Sequence, residues 1–100
     1  MASLHAEYLT ESEAYELALP VLRKNFKPFG FEKVSVKEVE EIDGTPVFRM
    51  VAHVKTRVPA RLLIDATQDI RQVLRKKGEE RFVFLRTERP GEEDINEDEE

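Results

Sequence analysis

The residues of this chain that could do chemistry are two histidines, two aspartates one helical turn apart and three serines. A metal site built on His5 and His53 would need a third ligand, and the sequence offers none beside them. Asp65 and Asp69 could share a cation or a proton, but the glutamines and arginines around them are typical of a solvated helix face. The serines have neither a nucleophile elbow around them nor a nearby histidine. We therefore expect no catalytic activity, no cofactor and no bound metal.

Composition excludes several further classes of protein. The absence of cysteine excludes disulfide scaffolds and thiolate zinc sites. The four glycines are isolated turn glycines, which cannot cradle a phosphate as a glycine-rich loop does. The first ten residues lack the basic and apolar regions of a signal peptide, and no apolar run approaches the roughly 20 residues that span a bilayer. We therefore expect a soluble, cytoplasmic protein with no membrane segment.

Charge is distributed unevenly along the chain. Residues 91–100, GEEDINEDEE, hold seven acids and no base, whereas the first 90 residues hold 16 bases and 14 acids. A run with this much charge and one apolar residue, Ile95, cannot form a core, so residues 90–100 are predicted to be a disordered acidic tail. The tail could solubilise the protein, screen the domain's own basic side or bind a basic partner. The sequence does not choose among these three roles.

A single domain is predicted over residues 10–89, between a flexible N-terminus at residues 1–9 and the tail. Thr10 and Glu13 fit a capping box at the start of the first helix. Pro20 falls on the polar side of this helix, where water can replace the lost hydrogen bond, so we expect a bent helix or two shorter ones. Residues 31–42 then predict a strand with a bulge near Lys37 and Glu38.

The second half of the chain continues with a hairpin turn and three further elements. Asp43-Gly44 predicts the turn, and residues 47–55 alternate as a half-buried strand. A second helix runs from Pro59 to the stop glycine Gly78, and residues 81–86 predict a third strand. The helix between the last two strands favours a right-handed crossover and parallel pairing. The predicted fold is therefore an α+β domain of order α-β-β-α-β, with a three-stranded mixed sheet and both helices on one face.

This order of elements resembles the type II KH-like folds of small RNA-binding and ribosome-associated proteins, over residues about 10–88. The resemblance implies the same topology. The GxxG loop with which that family clamps phosphates has no counterpart here, because residues 58–77 contain no glycine. The resemblance is therefore one of fold, and it does not imply RNA binding through such a loop.

One face of the predicted sheet is left uncovered, and we expect partners to bind there. The first two strands place on it Lys33, Ser35, Lys37, Arg49, Val51, His53 and Lys55. If Val83 and Leu85 of the third strand face the core, Phe82, Phe84 and Arg86 are exposed beside these cations, which favours single-stranded nucleic acid. If the phenylalanines are buried instead, Val51, Val83 and Leu85 form an apolar patch, which favours a protein partner or a dimer. Burying two phenylalanines removes more apolar area from water, so the second arrangement is the one we predict.

The predicted function is a non-catalytic interaction module that docks a protein partner or a second copy of itself, with the tail modulating electrostatics. Its predicted partner-binding residues are Arg49, Val51, His53, Lys55, Val83 and Leu85. The alternative is a weak RNA- or DNA-binding domain that its own tail inhibits. The predicted nucleic-acid contacts are Arg49, His53, Lys55, Arg57 and Arg61. The charge of +6 over residues 44–90 keeps this alternative open, although the cations of the second helix also fit an ordinary solvated face.

Overall fold

The computed structural model describes residues 9–91. Its elements are helix α1 (Glu11–Phe26), a 3-10 helix (Lys27–Phe29), strands β1 (Lys33–Glu40) and β2 (Pro46–His53), helix α2 (Ala60–Lys76) and strand β3 (Phe82–Glu88). Strand β1 pairs antiparallel with β2, and β2 pairs parallel with β3. The predicted α+β fold, its α-β-β-α-β order and the mixed sheet are confirmed. The predicted flexible N-terminus and acidic tail lie outside the described residues, apart from Leu9, Pro90 and Gly91.

Helix α1 begins as its sequence predicts. The Thr10 hydroxyl accepts a hydrogen bond from the Glu13 N–H at 3.1 Å, and the Glu13 carboxylate accepts one from the Thr10 N–H at 2.9 Å. These reciprocal bonds satisfy two backbone donors that the first helical turn leaves without partners. Pro20 lies inside the helix on its exposed side. The helix is continuous through it, so the alternative of two shorter helices is wrong.

The core lies between the two helices and one face of the sheet. Alanines at positions 14 and 18 bring α1 close to its neighbours, because they have no side chain beyond the β-carbon. The large buried residues are Leu22 and Phe26 from α1, Phe48 and Met50 from β2, Ile70 and Leu74 from α2, and Val83 from β3. Both helices therefore cover the same face of the sheet, and within residues 9–91 no element covers the other face.

The predicted bulge in β1 is wrong. Pairing with β2 is uninterrupted from Lys33 opposite His53 to Glu40 opposite Pro46. The bulge was inferred to bring Val39 onto the same face as Val34, but Val39 instead pairs with Val47 on the opposite face. Regular alternation places Glu38 on the core side at the edge of the sheet, where its carboxylate forms an ion pair with Arg81.

Glu79 is buried where α2 ends. Gly78, at φ +89°, donates to the Arg75 carbonyl at 2.9 Å, and the Glu79 N–H donates to the Leu74 carbonyl at 3.0 Å. These two bonds are the Schellman motif, which needs a residue with positive φ directly after the helix. The turn carries the Glu79 side chain into the protein, where the residue is 1% exposed.

Arg81 neutralises the buried Glu79 carboxylate with a two-pronged contact. The Arg81 Nε and Nη2 atoms each lie 2.8 Å from a Glu79 oxygen. The same carboxylate accepts the Leu9 N–H at 2.9 Å, and Arg81 Nη2 donates to the Leu9 carbonyl at 2.7 Å. The guanidinium also lies 4.3 Å from the centre of the Phe48 ring and pairs with Glu38. This Glu79–Arg81 network joins Leu9 to the start of β3.

The Glu79–Arg81 network predicts acid sensitivity. Burial raises the pKa of Glu79, but the hydrogen bonds from Arg81 and Leu9 outweigh it and hold the pKa below its ordinary value of 4.5. A lowered pKa stabilises the fold above the unfolded-state value, and this stability is lost as the pH falls through the folded-state value. We expect the free energy of unfolding, measured by urea denaturation, to fall as the pH drops below about 4.5. Glu79→Gln should weaken this dependence more than Glu16→Gln, which neutralises an exposed acid of α1. Equal pH profiles in the two variants would contradict the prediction.

Candidate functional site

The uncovered face of the sheet, called here the open face, is organised in four rows of neighbouring side chains. The strand register gives the rows Lys33–His53–Glu88, Ser35–Val51–Arg86, Lys37–Arg49–Phe84 and Val39–Val47–Phe82. Side chains that face each other across paired strands lie about 5 Å apart at their β-carbons. Polar and charged residues therefore dominate one end of the face, and apolar residues dominate the end near the hairpin turn.

The structure reverses the predicted orientation of β3. Val83 is 1% exposed, and Leu85 is partly buried against the core. Phe82 and Phe84 are 44% and 45% exposed on the open face. The prediction that Val83 and Leu85 are exposed there is therefore wrong, and so is the inference that the phenylalanines are buried.

Charge explains this orientation better than apolar area does. Because side chains alternate along a strand, Arg86 and Glu88 must share the face of Phe82 and Phe84. Burying the phenylalanines under the helices would also have buried the Arg86 guanidinium, at a cost of several kcal/mol, whereas the Arg86 side chain is 54% exposed on the open face. The gain from burying phenylalanine in place of valine and leucine is at most about 3 kcal/mol for the two positions. The exposed rings also keep about half of their surface covered, which reduces what is lost.

The two phenylalanines form an aromatic pair with arginines beside it. The ring centres of Phe82 and Phe84 are 4.7 Å apart, with an angle of 62° between the ring planes. The Arg71 guanidinium of α2 reaches around the edge strand to lie 4.8 Å from the centre of the Phe82 ring. Arg49 is exposed and is the cross-strand neighbour of Phe84. Planar apolar surface and fixed positive charge are thus adjacent on this face.

Acids are few on the polar part of the open face. Glu88 is 7% exposed and pairs with Arg86. Its other oxygen lies 4.0 Å from His53 Nδ1, and the His53 side chain is half-buried. Lys33, Lys37, Arg49 and Arg86 are exposed, so the rows carry more positive than negative charge.

A groove opens beside the aromatic pair at the hairpin turn. The groove is open to solvent, has a volume of about 600 Å³ and is lined by Glu41, Ile42, Asp43, Thr45, Val47, Phe82 and Phe84. The Ile42 side chain is fully exposed, whereas Val47 at the floor is only 2% exposed. The Thr45 N–H donates to Asp43 at 3.0 Å, and this hydrogen bond lowers the pKa of the Asp43 carboxyl, which keeps the rim of the groove negative.

The remaining predicted contacts lie away from these rows. Lys55 follows β2, is exposed, and has its Nζ atom 3.9 Å from Glu32. Arg57 and Arg61 are exposed in the loop after β2 and in the first turn of α2, a helix of the covered face. Of the predicted nucleic-acid contacts, only Arg49 and His53 belong to the four rows. Asp69 accepts a weak hydrogen bond from Asn25 at 3.5 Å, and Asp65 is exposed.

Arg71 and Ile42 complete the site but were not predicted to belong to it. Arg71 is 11 residues from Phe82 in the sequence, and no local pattern indicates that it reaches around the sheet edge. Ile42 was assigned to the alternation of β1, although its position beside Asp43-Gly44 places it in the turn. One signal in the sequence could have given the correct face of β3. It is the alternation that places Phe82, Phe84, Arg86 and Glu88 on the same side of the strand.

No helix in the described part of the chain is both long and apolar enough to cross a membrane. Comparison with protein-family models, with curated proteins and with solved structures gives no match. The resemblance to type II KH-like folds therefore rests on the order of elements alone.

Proposed function

We propose that this chain is a non-catalytic cytoplasmic module that binds single-stranded RNA or DNA on the open face of its sheet. The observation that carries the proposal is the exposure of Phe82 and Phe84 next to Arg49 and Arg86. Proteins that bind single strands combine aromatic surfaces, on which bases stack, with cations that follow the phosphates. Both parts occur here on one continuous surface.

The spacing of these groups supports binding of a few nucleotides. Arg49 is the direct cross-strand neighbour of Phe84, and Arg86 lies two residues further along β3, about 7 Å away. A base stacked on Phe84 therefore has a guanidinium within reach on two sides. Arg71 packs on Phe82 and places another positive charge at the edge of the sheet.

The face supports binding with little preference for base sequence. Arginine and lysine can contact guanine edges, whereas adenine edges are recognised by the amide side chains of asparagine and glutamine. The four rows contain no asparagine or glutamine, and their one hydroxyl is that of Ser35. Stacking and phosphate contacts alone tolerate every base.

Titration of the full chain with a fluorescent single-stranded oligonucleotide tests this function. We expect measurable binding that weakens with salt, with a slope of log affinity against log salt of about −2 to −3 if three or four phosphates are neutralised. A duplex of the same length should bind more weakly, because its bases cannot stack on Phe84. Absence of binding to any single strand at 50 mM salt would reject the proposal.

The groove at the hairpin turn supports a second candidate, the predicted docking of a protein partner or a second copy. The observation that supports this candidate is the fully exposed Ile42 beside Phe82 and Phe84. The acids Glu41 and Asp43 also line the groove. An apolar patch inside a polar rim is the usual anatomy of a protein interface. Light scattering at increasing protein concentration tests the second copy. Under this candidate Ile42→Ser abolishes the association, whereas oligonucleotide binding, if present, persists.

A further inference from the structure

The chain turns directly before its acidic segment. Strand β3 ends at Glu88, and Pro90 and Gly91 form a turn in which Gly91 has φ +95°. Proline followed by glycine with positive φ is the pattern of a type II turn, which reverses the direction of the chain. The nine residues that follow contain all seven acids of the tail.

The charge of the open face is complementary to that of this segment. The exposed cations in its rows are Lys33, Lys37, Arg49 and Arg86, and the acid among them, Glu88, is buried and paired. The segment 92–100 has no base, so its attraction to these cations is not offset by internal pairing. Effective concentrations in the millimolar range are typical when a short flexible connection joins two binding surfaces.

The length of the segment matches the face. Nine residues can extend over about 30 Å, whereas β3 with its seven residues is about 20 Å long. A segment that doubles back from Gly91 can therefore cross from the Glu88 end of the face to the Phe82 end. In such a segment Ile95, four residues beyond Gly91, lies level with Arg86, because a reversal at Pro90 and Gly91 sets position 92 opposite position 89.

We propose that residues 92–100 occupy the open face of their own domain, with their carboxylates against Arg49 and Arg86. An anionic single strand has to displace them, so the segment sets the affinity of the site. This regulatory role rests on the proposed function, whereas occupancy of the face does not. A tethered segment at millimolar effective concentration, with a dissociation constant of about 0.1 mM, weakens a competing ligand about tenfold.

The test compares two forms of the full-length protein: the natural chain and a variant in which all seven tail acids are changed to their amides. In ¹H–¹⁵N NMR spectra at low salt, we expect the amide resonances of Arg49, Phe84 and Arg86 to differ between the two. The differences should shrink at about 1 M salt, where the Debye length is only about 3 Å. The neutralised variant should bind oligo(dT) about tenfold more tightly than the natural chain.

A matched pair of variants controls for net charge. Asp94→Asn/Glu97→Gln neutralises the acids on either side of Ile95, and Glu16→Gln/Asp65→Asn neutralises one acid of each type on exposed positions of the helices. Only the first pair should move the resonances of the open face.

The outcomes separate this inference from the proposed function. Unchanged resonances in the neutralised variant would overturn the inference, as would differences that depend on protein concentration, because these would assign the contact to a second copy. Changed resonances without oligonucleotide binding by either form would support occupancy of the face and reject the proposed function.

Discussion

Replacing Arg81 by methionine is expected to lower the free energy of unfolding by about 3–5 kcal/mol, because it leaves the Glu79 carboxylate buried without its partner. The loss is a large fraction of the 5–15 kcal/mol that is typical of a small domain. Methionine preserves apolar contact with Phe48, so the change reports mainly on charge and hydrogen bonds. Urea denaturation followed by circular dichroism gives the measurement.

Two further variants make the Arg81 prediction specific. Arg81→Lys keeps the charge but loses the two-pronged geometry, so its loss should be smaller than that of methionine. Glu79→Gln/Arg81→Met removes both charges, and its loss should be smaller than the sum of the two single losses by about 1–3 kcal/mol. Additive losses, or a loss below about 1 kcal/mol for Arg81→Met, would show that the network does not stabilise the fold as the structure implies.

Replacing Phe84 by alanine is expected to weaken binding of a single-stranded oligonucleotide by about 1–3 kcal/mol, which corresponds to a factor of about 5 to 150. The reason is the loss of the stacking surface beside Arg49. Because Phe84 is half-exposed, the fold should survive the substitution, and thermal unfolding checks this. Fluorescence anisotropy gives the affinity, and Phe82→Ala should show a loss of the same kind.

Conservative variants separate stacking from apolar contact. Phe84→Trp keeps an aromatic plane and should retain binding of nucleic acid, whereas Phe84→Leu keeps most of the apolar surface and should lose it. A protein partner seated in the hairpin groove would tolerate leucine far better than alanine. Equal affinity of the leucine variant and the natural chain for an oligonucleotide would therefore argue against stacking.

Local signals in the sequence predicted most of the fold. The capping box of Thr10 and Glu13, the solvent-side position of Pro20 and the stop at Gly78 depend on near neighbours only, and the structure confirms each of them. The parallel pairing of β3 followed from the length of the helix before it, because a long crossover favours that arrangement.

One error came from a local signal that was overlooked, and the others depend on residues that are distant in the sequence. The choice between the two faces of β3 was made on apolar area alone, although Arg86 and Glu88 had to follow the phenylalanines. The bulge in β1 was inferred from the positions of Val39 and Ile42 in the apolar alternation. Without a bulge Glu38 lies on the core side, and the partner that makes this tolerable, Arg81, is 43 residues away. The burial of Glu79 depends on the same arginine and on Leu9, so no local pattern reveals it.

The connections of the sheet have a consequence for the order in which it assembles. Strands β1 and β2 are joined by residues 41–45, whereas β2 and β3 are separated by residues 54–81. Closing the longer loop costs about 1.5 kcal/mol more in chain entropy. We therefore expect the hairpin to form early and the strand with both exposed rings to join the sheet after it. A ligand that stacks on those rings therefore binds only the folded domain. Its binding stabilises the domain against unfolding.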